Sequence, residues 1–211
     1  MEKCVVIDYG LGNLYSVHNA LLKSASMVSH SIQIEMSSDP DKILAADRIV
    51  FPGVGAIRDC MKGLHERELV DVVIEVFQQK PALAICIGMQ ALAEFSAENN
   101  GIICLGMVPT KVTRFTPDPM HLRKIPHMGW NEVTQKSTHP LWEHIPNRSR
   151  FYFVHSYRMQ ASSEFELAAT EYGESFSAAI GSDNWCGVQF HPEKSQKHGL
   201  QLLTNFLGWK P

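Results

Sequence analysis

The chain alternates between short unbroken apolar runs and longer stretches whose apolar positions recur with helical spacing. Cys4 to Asp8 predicts a buried strand, Asn13 to Ala25 a helix and His30 to Glu35 a second strand. A short helix is expected to start at Asp39-Pro40, and Arg48 to Phe51 predicts a third strand. Ile57 to Leu64 and Glu66 to Gln78 read as helical, and Pro81 to Ile85 as a fourth strand, with a helix expected over Gln90 to Ser96. Strand and helix in turn predict a mostly parallel central sheet flanked by helices, the α/β class.

The second half changes character. Lys111 to Arg114, Trp130 to Thr134, Arg150 to His155, Phe165 to Glu171, Phe176 to Gly181 and Gly187 to Phe190 are closely spaced strand candidates. Gly and Pro between them predict hairpins, hence antiparallel strands in the C-terminal half. Ser195 to Trp209 closes the chain as a helix with Leu200, Leu203, Phe206 and Leu207 along one stripe. No repeat, low-complexity tract or linker interrupts it, so residues 1–211 are expected to form one domain.

Composition narrows the classes. Hydrophobic residues make up 45% of the 211, enough for a sizeable core, and the net charge of -3 argues against a nucleic-acid surface. Five scattered cysteines without a Cys-x-x-Cys pair suit reduced thiols in a cytoplasm better than a disulfide frame or zinc site. Asp8 cuts short the only early apolar stretch, so no signal peptide is expected, and no apolar run reaches membrane length. Ten histidines include no metal-ligand spacing, so neither a metal nor another cofactor is expected.

Chemistry concentrates at two places. In Ala84-Ile85-Cys86-Ile87-Gly88-Met89-Gln90 a strand turns into a helix, with small residues two before and two after the cysteine. That is the pattern of a nucleophile elbow, which exposes the sulfur and aims the first helical N–H groups at it. In Gly187-Val188-Gln189-Phe190-His191-Pro192-Glu193, an extended end would put His191 and Glu193 on one face. A carboxylate there fixes the tautomer of an imidazole and stabilises its charged form, giving a candidate Cys-His-Glu triad.

Three further motifs remain. Pro52-Gly53-Val54-Gly55 follows a strand, and its glycines permit dihedrals that could turn a backbone N–H toward a bound carbonyl oxygen, with the Ile87 N–H as second donor. Gly10-Leu11-Gly12-Asn13 suggests half a dinucleotide fingerprint, but Tyr15 stands where the third glycine belongs, and a strand–helix junction accounts for it. In Pro126-His127-Met128-Gly129-Trp130-Asn131 the Met and Trp suit a core, which packing favours, or an interface anchor.

Cys-Ile-Gly-Met-Gln at the elbow, Pro-Gly-Val-Gly upstream and His-Pro-Glu near the end resemble the class I (triad-type) glutamine amidotransferases. Ile7 to Asn13, Pro126 to Asn131, Tyr152 to Tyr157 and Gly187 to Ser195 are similar to the branch serving imidazole glycerol phosphate synthesis. The resemblance implies a glutaminase with Cys86 as nucleophile, His191 as base and acid, and Glu193 as its orienting partner. It implies an oxyanion hole from Gly53, Val54 and Ile87, the last in place of a commoner leucine. Gln90 and Glu98, taken to share the elbow helix, and Ser156 and Tyr157 match positions that hold glutamine. Asn13, Trp130, Tyr152 and Lys194 match positions facing a partner, a (β/α)8-barrel cyclase subunit that would receive ammonia. Three other readings stay open: a related glutaminase feeding a sugar-aminating synthase, a silent regulatory subunit, or a stand-alone thiol hydrolase.

Overall fold

The computed structural model describes residues 1–117 and 124–211. Its first half is the strand–helix alternation that the apolar runs demand. In chain order come β1 (Glu2–Ile7), α1 (Leu14–Ala25), β2 (Ile32–Ser37), α2 (Pro40–Leu44), β3 (Arg48–Phe51), α3 (Ile57–Glu66), α4 (Val70–Gln79) and β4 (Ala82–Ile85). The parallel pairs β2–β1, β1–β3 and β3–β4 bring the carboxyl ends of these strands to one edge. All four residues of β3 and of β4 are buried, as expected of strands covered on both faces. Arg48 is the polar exception, and its guanidinium pairs with Glu2 at 2.7 Å and donates to the Phe206 carbonyl at 3.1 Å.

Beyond β4 come α5 (Ile87–Ala91), β5 (Ala93–Ser96), β6 (Ile102–Ile103), β7 (Val108–Arg114), β8 (His127–Glu132) and β9 (Thr134–Gln135). Then follow β10 (Arg150–His155), β11 (Tyr157–Met159), β12 (Glu166–Glu171), β13 (Ser175–Gly181), β14 (Trp185–Val188) and α6 (Gln196–Gly208). The large sheet runs β2-β1-β3-β4-β14-β13-β12-β9; β10 pairs with β8, and β11-β7-β5-β6 form a third sheet. β14 is the hinge of this plan, parallel to β4 and antiparallel to β13. It places the chain leading to His191 directly beside the chain leading to Cys86.

One expected element differs in kind and several in their bounds, the last strand among them. The stretch Gln90 to Ser96 is not a helix: α5 lasts five residues and the chain then enters β5. Pairing decides it, because Ala93 to Ser96 lies parallel to β7 and antiparallel to β6. The last strand lies at Trp185–Val188 rather than Gly187–Phe190, set by its register from Trp185 opposite Ala82 to Val188 opposite Ile85.

Candidate active site

Cys86 occupies the single-residue turn between β4 and α5 with φ 54° and ψ -108°. A residue with a Cβ held at positive φ costs on the order of 1–3 kcal/mol, so the surroundings must enforce it. They do so on both sides. The Cys86 N–H donates to the Val188 carbonyl at 2.7 Å, and the Cys86 carbonyl accepts from Gln90 N–H at 3.1 Å. Gly88 lets α5 sit directly on β3, since a Cβ there would run into the Phe51 carbonyl oxygen.

The Pro-Gly-Val-Gly turn works differently from the sequence expectation. Gly55 has φ 95°, but Gly53 is glycine for want of space. A Cβ on Gly53 would lie 2.8 Å from both Ile87 Cβ and Tyr9 Oη and 2.9 Å from the Gly88 nitrogen. Close approach of this turn to the elbow, not an unusual dihedral at Gly53, is what brings Val54 beside Ile87 at the cavity.

His191 does not project from a strand. It precedes a 3₁₀ turn, Pro192–Lys194, and the turn rather than a shared strand face brings Glu193 back to it. Nδ1 of His191 meets Glu193 Oε1 at 2.9 Å, and both side chains are almost fully buried. Burial alone would lower the imidazole, but Cys86 and then Glu193 outweigh it and raise His191 to about 10. Both neighbours thus favour the charged form of the imidazole, a form able to give up a proton.

The same turn is stapled to β10. His191 N–H donates to the Tyr152 carbonyl at 2.9 Å, Tyr152 N–H donates to Ser195 Oγ at 3.0 Å, and Ser195 Oγ–H donates to the His191 carbonyl at 2.7 Å.

A cavity of about 550 Å³ joins these parts. Cys86, His191, Val54, Ile87, Gln90, Glu98, Ser156 and Tyr157 all line it, as do Asn13 and Lys194. Glu193 and Gly53 stand behind its wall. Glu98 reaches it from a 3₁₀ turn, Glu98–Asn100, that follows β5, not from the elbow helix. Its Oε2 accepts the Ile57 N–H at 3.0 Å and so supplies the cap that α3 lacks locally. Arg58 donates to the Asn99 carbonyl at 2.6 Å, tying the start of α3 to that turn.

Trp130 and Tyr152 lie outside the cavity. Their rings meet edge to face at 6.2 Å, and Lys194 Nζ stands 6.0 Å from the Tyr152 ring centre. Trp130 is 41% and Met128 62% exposed, so the core expectation for this pair fails. Gly129 between them has φ 134°, and among the described residues β8 pairs with β10 alone, leaving the two side chains uncovered.

Gln189, to which the sequence alone assigns no role, also belongs to the site. It is fully buried, its Nε2 lies 3.7 Å from Cys86 Sγ, and its Oε1 accepts from Gln90 Nε2 at 2.9 Å. Its position two residues before His191 on an extended run was the available signal. Gly10 and Gly12 both adopt positive φ at the β1–α1 turn, and the Arg67 guanidinium fills the space beside Gly10. Asp8 accepts the Gly10 N–H at 2.8 Å and does not line the cavity, although it ends a strand on the same edge. Among the described residues no group of three or more His, Cys, Asp or Glu is placed to hold a metal ion.

Residues 5–208 match the model of the class-I glutamine amidotransferase family. "Imidazole glycerol phosphate synthase subunit HisH" of Nitrosococcus oceani is 51% identical over 211 residues, covering 99% of this chain and 98% of that protein. The protein of the same name from Pseudomonas putida is 49% identical over 214 residues, with 99% and 98% covered. The crystal structure of a glutamine amidotransferase superposes with TM-score 0.71 at 15% identity, covering 97% of each chain. A glutamine amidotransferase from Thermotoga maritima superposes at 0.58 and 16%, covering 91% of this chain and 76% of that one. These two likenesses bear on the fold.

Proposed function

This chain belongs to the class-I glutamine amidotransferase family, and we propose that it hydrolyses L-glutamine to glutamate and ammonia and delivers the ammonia to a synthase partner. The carrying observation is the elbow thiol of Cys86 meeting, in one cavity, an imidazole whose far nitrogen is held by Glu193 at 2.9 Å. Relatives near 50% identity over the whole chain are named as subunits of imidazole glycerol phosphate synthase, which supports a complex and a place in histidine biosynthesis. The finer reading is a heterodimer with the cyclase subunit, with residues 1–211 acting as one amidotransferase domain. Action in the cytoplasm is supported by five free, buried cysteines and, among the described residues, by no helix long and apolar enough to cross a membrane.

Cys86 gives its thiol proton to His191 as Sγ attacks the side-chain amide carbon of glutamine, and the carbonyl electron pair moves onto oxygen facing the Val54 and Ile87 backbone. His191, charged and oriented by Glu193, gives its proton to the nitrogen as the C–N bond breaks. Ammonia leaves, and a glutamyl thioester remains on Cys86. Water then loses a proton to His191 and adds to the thioester carbon, and the C–S bond breaks to release glutamate. Gln90, Glu98, Ser156 and Tyr157 line the cavity where the amino-acid end of glutamine would lie. Trp130, Tyr152 and Lys194 offer the docking face, with Asn13 and Lys194 at the junction of that face and the cavity.

The test is glutamine-dependent turnover by the chain mixed with the cyclase, read as ammonia release and as cyclised product. Hydrolysis with product formed from glutamine supports the reading. Failure of the mixture to use glutamine, while a sugar-aminating synthase does so with this chain, would replace the partner.

A further inference from the structure

A file of polar groups, with His127 and His155 buried at its middle, runs from β8 toward the thiol. Asn131 opens it. Its Oδ1 accepts the Glu132 N–H at 2.8 Å and its Nδ2 donates to the Glu171 carbonyl at 2.9 Å, which fixes the carboxamide. The same Nδ2 lies 3.2 Å from His127 Nε2. His127 Nδ1 lies 2.9 Å from His155 Nε2, and His155 Nδ1 lies 2.8 Å from the Tyr157 carbonyl oxygen.

The direction of every bond is determined from both ends. A carbonyl can only accept, so His155 carries its proton on Nδ1 and offers Nε2 as acceptor. His127 must then donate from Nδ1 and accept at Nε2, the role the Asn131 amide requires. Each ring spends one donor and one acceptor, so each must be neutral. The Tyr157 oxygen takes a second donor, Gln90 Nε2, at 3.0 Å. The other hydrogen of that amide goes to Gln189 Oε1, so the Gln90 NH₂ is committed and Oε1 is left as an unpartnered acceptor on a cavity-lining side chain.

We propose that Asn131, His127 and His155 are positioning residues that hold the Tyr157 carbonyl, and through it the Gln90 amide, in the one orientation that offers Gln90 Oε1 to the ammonium group of bound glutamine. The proposal rests on the glutaminase reading. Burial supports it by pushing His155 down to about 3 and His127 to about 4, so neither ring takes a proton near neutrality. The rings of Phe115, Phe153, Phe176 and Tyr172 surround the pair, and the charge on His191 disfavours a second one at His155. The file is thus a fixed strut, not a proton relay.

Nitrogen NMR of the full chain carrying ¹⁵N-histidine tests the strut directly between pH 5 and 8. Both rings are expected to stay neutral with the proton on Nδ1, and an imidazolium or the Nε2–H tautomer at either ring overturns the proposal. Asn131→Asp, assayed in complex with the cyclase, supplies the second arm. A carboxylate cannot donate to His127, so His127 must gain a proton or the file must reverse against Tyr157. The expected result is a KM for glutamine raised about tenfold, the scale of one lost hydrogen bond to a charged group, with kcat within about twofold. Asn131→Ala removes the donor without opposing it and is expected to raise KM less. An unchanged KM in Asn131→Asp, with His155 turned to its Nε2–H tautomer by reversal of the file, overturns the positioning role. A wild-type complex that does not hydrolyse glutamine strikes the glutaminase reading instead and leaves the ring measurement standing.

Discussion

His191 and the His127–His155 pair are all buried, yet their surroundings drive them to opposite charge states. Burial lowers all three imidazoles. At His191 the sulfur of Cys86 and the carboxylate of Glu193 overcome that penalty, whereas the rings around His127 offer no such compensation. The consequences for stability have opposite sign. Protonated His191 stabilises the fold fully below its ordinary value of 6.5, and that contribution is lost as pH rises toward about 10. The neutral pair contributes fully above 6.5, and its share is lost as pH falls toward about 4 and about 3. Burial alone therefore says little about what a histidine does; the partner at each nitrogen decides.

Removing the sulfur breaks this contrast most completely. Cys86→Ala is expected to abolish glutamine hydrolysis while the partner still works with added ammonium salts. It should also lower the His191 pKa, visible in the same nitrogen spectra. Retention of more than a small fraction of hydrolysis in that variant would sink the nucleophile assignment. Glu193→Gln should act on the other nitrogen. A loss of about 10²-fold in kcat is expected, the low end of what general acid–base catalysis supplies. Since Glu193 raises His191, its removal should move the alkaline fall in rate to lower pH. A pH–rate profile with the same alkaline limb in both proteins would count against that arrangement.

Trp130→Ala addresses the surface above the acid. On the proposed docking face, truncating this exposed ring is expected to weaken partner binding about thirtyfold, the scale of an interface hot spot, with the circular dichroism spectrum unchanged. Normal partner affinity would return Trp130 and Met128 to ordinary surface. The smallest effect sharpens the neutral side. His127→Phe suits the surrounding rings and removes one imidazole that must stay neutral. Between about pH 4 and 6.5 the loss of stability on acidification should become shallower by up to about 1.4 kcal/mol per pH unit, read from urea midpoints. An identical slope would mean that His127 already charges in the native state.

Legibility differed between the two halves for physical reasons. The parallel strands β1, β3 and β4 are buried on both faces, so their sequences are nearly uniform apolar runs that a reader can find. The elbow, its Gly88 and the pairing of His191 with Glu193 were also visible, because each depends on residues close in sequence. Ala93 to Ser96 was misread because its strand pairing comes from β6 and β7, outside any local window. Glu98 was placed on the wrong element for the same reason. Gln189 and the His127–His155 contact depend on distances across the fold, and a glutamine between two apolar residues carries little local signal.

The staple between Tyr152 and the His191 turn bears on how freely such a chain can change allegiance. Three backbone-anchored bonds make the strand under the aromatic patch and the loop carrying the acid a single mechanical part. A mutation that tilts Tyr152 to suit a differently shaped neighbour will drag His191 with it, and one that retunes His191 will reshape the patch. The patch and the His191 turn are therefore free to shift only in step. A substitution that moves the strand under the patch is expected to reach His191 unless Ser195 or β10 gives way in compensation.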